Sequence, residues 1–114
     1  MDAWTPVGAR LLPWVGEGGK PCYVIGEGAG RVSRLADGIE SVQLGMAKQL
    51  LEHADEMLHD PREVTRDQLG YVTRCLTASL RDVHRIAESR GSRLAAVADG
   101  MRDEPSPGTE PPVR

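Results

Sequence analysis

Phenylalanine is absent from this chain of 114 residues, and aromatics make up only 4% of it. A core without large rings must be filled by Leu, Val, Ile, Met and Ala, a palette that favours helices. Cysteine is almost missing too. Cys22 and Cys75 stand far apart with no C-x-x-C spacing, which argues against a disulfide framework or a cysteine zinc site and leaves them as small packing residues. No apolar run approaches the roughly 18 residues of a membrane span. The first 25 residues also lack the basic, apolar and cleavage segments of a secretory leader. A cytoplasmic location is therefore expected. Positive charge is not in excess: 14 Lys and Arg face 17 Asp and Glu, for a net charge of -3. That balance disfavours a general nucleic-acid coat, which needs a basic surplus to displace counterions.

Glycine, by contrast, is concentrated near the N-terminus. The stretch CYVIGEGAGR (22–31) puts an apolar run before a glycine turn, in the manner of a dinucleotide-binding unit. The fingerprint fails at its sixth position, however. Gly26 and Gly28 fit G-x-G-x-x-G, but Arg31 stands where the third glycine packs helix against strand, with Gly30 one place early. No strand-like run follows residue 25 to supply the second parallel strand. GEGGKP (16–21) lacks P-loop spacing as well. Gly26, Gly28 and Gly30 are expected to turn the chain from ribbon to helix, with positive φ open to them, and no cofactor is expected.

Two strand-like runs, RLLPWV (10–15) and CYVI (22–25), flank GEGGKP and read as a β-hairpin. Pro13 cannot donate to a ladder, so its strand should be an edge. From 31 to 59 the apolar residues follow a helical period. At about 100° per residue they cover roughly 180°, centred near Leu50, a face too broad for one partner helix. Gly38 and Gly45 project to the opposite side. DPR (60–62) then supplies a stop. A second helix should begin with Thr65 as N-cap and Gln68 completing a capping box. Its stripe of Leu69, Val72, Leu76, Leu80, Val83, Ile86 and Ala87 is narrower. Gly91 offers it an end, while Leu94, Val97 and Met101 continue the period. The proline-rich stretch from about residue 100 has little to bury and is expected to be unordered.

The fold class expected is mainly α with a small β-hairpin. Residues 1–30 would hold the β-hairpin and glycine-rich turn, 31–99 an antiparallel helical hairpin, and 100–114 a tail. Two helices and a ribbon rarely hide enough apolar surface alone, and the breadth of the first helix points to a homodimer forming a four-helix bundle. The expected interface is Leu35, Ile39, Val42, Gln43, Met46, Leu50 and Met57. Gln43 would set register if it pairs across the symmetry axis.

Little here promises chemistry. Glu56 and His59 have the E-x-x-H spacing of di-iron bundles, but they project to the solvated side, and no metal is expected. Three scattered histidines define no catalytic set, so the chain is not expected to be an enzyme. Charge is more informative: residues 31–60 carry three basic and six acidic side chains, whereas 61–100 carry seven and five. An antiparallel hairpin would gather Arg31, Arg34, Arg81, Arg85, Arg90 and Arg93 into a basic patch at one end and leave the other acidic. The expected function is a non-catalytic, dimeric protein-protein interaction module, an adaptor or regulator, with itself and another protein as partners. The alternatives are a nucleic-acid-binding regulator using the arginine end and a small phosphate- or nucleotide-binding protein using the glycine turn.

Overall fold

A computed structural model describes residues 9–25 and 30–103, with side chains to Met101. Two strands, β1 (Arg10–Val15) and β2 (Pro21–Val24), precede two helices, α1 (Gly30–His59) and α2 (Arg66–Asp103). The strands pair antiparallel, Arg10 opposite Val24, Leu11 opposite Tyr23 and Val15 opposite Pro21, with a bulge in β1 between Leu11 and Val15. Pro13 lies in that irregular stretch, where its missing N–H disturbs no ladder. The turn is closed by Gly16 N–H donating to the Lys20 carbonyl at 2.7 Å. Positive φ is found at Gly18 (68°) and Gly19 (75°), where only glycine is free of a Cβ clash. Gly26 and Gly28 lie outside the described residues. Gly30, expected in the turn, is instead the first residue of α1.

α1 has 30 residues and α2 has 38. A single helical turn at Pro61–Glu63 separates them. The capping box forms as the sequence suggests: Thr65 Oγ1 accepts from Gln68 N–H at 3.1 Å, and Gln68 Oε1 accepts from Thr65 N–H at 2.9 Å. α2 does not stop at Gly91 but runs on to Asp103. The stretch from Gly100 to Asp103, expected to be unordered, is therefore helical, because the apolar period of Leu94, Val97 and Met101 carries through the glycines. Residues 104–114 lie outside the described residues.

The helices pack as an antiparallel coiled-coil hairpin. In α1 a series of buried and half-buried residues steps by three and four through Ser33, Ala36, Glu40, Gln43, Ala47, Leu50, Ala54 and Met57, with Val32, Ile39 and Leu44 half-buried beside it. In α2 the same rhythm runs through Val72, Cys75, Ser79, Asp82, Ile86, Ser89 and Arg93. Such alternation is the seam of a left-handed coiled coil. Its residues are mostly small or polar, which lets the backbones approach closely.

This differs from the sequence expectation in phase. The expected stripe of α2 is divided: Val72 and Ile86 are buried and Leu76 and Val83 half-buried, whereas Leu69, Leu80 and Ala87 are exposed and Cys75, Ser79 and Ser89 share the inward side. The physical reason is polar. Ser89, Arg85 and Arg93 must reach acceptors on β1 and α1, and buried acceptors left unpaired cost more than leucines left half wet.

Candidate interaction surface

Glu40 is the most buried charged residue described, 2% exposed. Arg10 of β1, itself 8% exposed, extends into the helix pair. Its Nη2 lies 2.7 Å from Asp37 Oδ1 and 3.3 Å from Glu40 Oε2, and its Nη1 donates to the Ser33 carbonyl at 2.9 Å. The Glu40 contact is an ion pair without hydrogen-bond alignment, since Oε2 has no aligned donor. Arg90 and Arg93 of α2 stand 3.8 and 3.9 Å from Glu40 Oε1. One carboxylate thus faces three guanidinium groups from two further elements.

The outer edge of β1 is closed by side chains. Ser89 Oγ donates to the Leu11 carbonyl at 3.0 Å, and Arg85 Nη1 and Gln43 Nε2 donate to the Pro13 carbonyl at 3.1 and 3.2 Å. An open strand edge invites foreign pairing, and these donors block it. Gln43, expected at a symmetry axis, thus spends its amide N–H within its own chain. Its Oε1 is buried without a partner.

The expected interface on α1 is divided. Leu35, Val42 and Met46 are 58%, 62% and 56% exposed, while Ile39, Gln43, Leu50 and Met57 are half-buried. The expected basic patch is divided as well. Arg31, Arg34 and Arg81 are exposed, but Arg85, Arg90 and Arg93 are turned toward Pro13, Asp82 and Glu40. Arg10 and Glu40, absent from the expected site, are the centre of the cluster. Glu40 carried a signal, because it projects onto the flank of the apolar arc between Ala36 and Ala47. Arg10 carried none.

The flanks of the seam differ sharply. In an antiparallel pair, residues just before the inner position of one helix share a side with their counterparts on the other. That side holds Val32, Ile39 and Met46 of α1 with Tyr71, Ala78 and Arg85 of α2. The β-hairpin covers its near half through Arg85. Beyond the hairpin it opens into a groove of about 400 Å³ lined by Met46, Leu50, Tyr71, Cys75 and Ser79. The opposite flank has Leu44, Leu51 and Leu58 beside Leu69, Leu76 and Val83, with Leu80 and Leu94 adjoining. Leu51, Leu58, Leu69, Leu80 and Leu94 are 57–74% exposed. A third cavity, of about 590 Å³, lies between the hairpin and α2 and is rimmed by Arg81, His84 and Glu88.

Chemistry is sparse. Glu56 and His59 are exposed. His84 Nδ1 sits 3.1 Å from Glu88 Oε1 on the surface. No group of three or more His, Cys, Asp or Glu is placed to hold a metal among the described residues. No helix among them is long and apolar enough to cross a membrane. A scan against protein families, a search of curated proteins and a search of solved structures each return no match to this chain.

Proposed function

We propose that the chain is a non-catalytic helical interaction module that pairs with itself and binds another protein, as an adaptor or regulator. The observation that carries this reading is the ratio of covered to bare apolar surface. Among the described residues four hydrophobic ones, Leu12, Ala36, Val72 and Ile86, are buried, whereas thirteen large ones are exposed. Scattered exposed leucines are ordinary on a monomer, but a continuous face of them marks an interaction site. The test is the mass in solution by light scattering, followed by capture of partners from the native extract. A dimer supports self-pairing; a stable monomer removes it.

The nucleic-acid reading has weaker support. Arg10, Arg85 and Arg93 lie against acceptors of their own chain, leaving Arg31, Arg34, Arg81 and Arg90 as the exposed cations of the expected patch, with Arg90 3.8 Å from Glu40. Salt-dependent retention on DNA or RNA would favour it over the first reading.

A further inference from the structure

α2 carries two heptad seams. The first faces α1. The second, one position further along the chain at Leu69, Leu76, Val83, Arg90 and Val97, alternates with Thr73, Leu80, Ala87, Leu94 and Met101. The steps are four and three throughout, the spacing a coiled-coil partner requires. This second seam spans about 48 Å at 1.5 Å per residue. Leu69, Leu80, Leu94, Val97 and Met101 are 57–70% exposed, Leu76 and Val83 are half-buried, and the β-hairpin borders the seam at the cavity it shares with Leu80 and His84. We infer that its occupant is a second copy of α2 lying antiparallel, with the two-fold axis beside His84. This rests on the homodimer reading and moves the interface from the α1 face to α2.

Three observations favour a second copy. The seam is self-complementary: centred on residue 85, antiparallel pairing sets Leu69 against Met101, Leu76 against Leu94 and Val83 against Ala87, and leaves no seam position unmatched. Its polar members are accommodated. Thr73 meets Val97, and Arg90, whose head is 3.8 Å from Glu40, lays its stem toward Leu80 of the copy.

The flank that would meet its twin is built of Gly70, Thr77, His84, Gly91 and Ala98, small apart from the histidine at the axis. A helix-interior glycine is unfavourable, yet a Cβ at Gly91 would meet nothing within 4 Å, and the hairpin faces it only across a cavity lined by Ala9, Leu11 and Tyr23. A close neighbour across that flank gives the glycine a purpose. The area is also sufficient. Seven side chains of this face, Leu51 and Leu58 of α1 included, are more than half exposed. At about 100 Å² each they approach the roughly 800 Å² per partner of a standard interface.

The test uses the full chain. Leu80→Glu should halve the mass measured by light scattering, while Val42→Glu, on the α1 face, should leave it unchanged. Because Leu80→Glu could also loosen the fold, spin labels supply a second readout in a Cys22→Ser, Cys75→Ser background. Labels introduced by His84→Cys should lie within about 20 Å of each other, a helix diameter plus the label arms, and those introduced by Ala98→Cys about 42 Å apart. Short distances at both positions would mean a parallel pair and overturn the arrangement. A dimer that survives Leu80→Glu but is lost with Val42→Glu would overturn this face and leave the homodimer reading standing. A monomeric parent protein would overturn both.

Discussion

Glu40 joins three elements through one carboxylate, and the energetics of that arrangement are lopsided. Two charges removed from water repel burial strongly, so a paired set contributes little net stability, while loss of one partner leaves the other stranded. Without Glu40, Arg10, 8% exposed, keeps Asp37 at 2.7 Å and the Ser33 carbonyl at 2.9 Å but loses its buried counter-charge, and its Nε is already without a partner. Because Arg10 stays paired, Glu40→Ala is expected to destabilise the fold by about 1–3 kcal/mol in urea unfolding. Replacing both partners by apolar side chains, Arg10→Met with Glu40→Leu, should recover most of that loss. A double variant as weak as the single one would show that the charges are needed for more than each other. Glu40 was legible as a carboxylate on the edge of an apolar arc. Its partner was not, because an arginine thirty positions away leaves no periodic trace.

At the scale of elements, local chemistry was easy to read and rotation was not. The capping box at Thr65 and Gln68, the hairpin strands and the stop at Pro61 all follow from neighbours in sequence. Thr65→Ala should cost about 1 kcal/mol, which for a domain of this size lowers the melting temperature by about 4–8 °C. A melt within 1 °C of the parent would mean that α2 is held by tertiary packing alone. The facing side of α2 was legible only in part, at Val72 and Ile86, because two heptads share one helix and the expected stripe mixed them, taking exposed leucines for core and passing over the Ser/Cys positions. What decides is the demand of β1: the Leu11 and Pro13 carbonyls need Ser89 and Arg85. The small seam has its own consequence. Ala36 is fully buried, so Ala36→Leu should overpack the contact with α2 and destabilise by about 1–3 kcal/mol. An unchanged unfolding midpoint would place the helices further apart than their burial implies.

The described residues form two long helices with a ribbon across one end of one flank, and most of the leucines line the other flank. Such a shape hides little of its apolar surface within one chain, so its stability should depend on how much of it is paired. If folding and pairing are coupled, the folded state is favoured by mass action, and each tenfold rise in concentration adds about 1.4 kcal/mol per dimer. For a dimer of this size a kilocalorie shifts the melting temperature by about 2–4 °C, so each tenfold rise in concentration should raise it by about 3–6 °C. Calorimetry over a hundredfold range checks this directly. The dependence should persist at high salt, because the seam is held by leucine, valine and methionine rather than by surface ions that salt screens. A melting temperature independent of concentration would mean that the chain stands alone with its leucines wet. Dependence that vanishes in salt would mean that charge, not the leucine seam, brings the copies together.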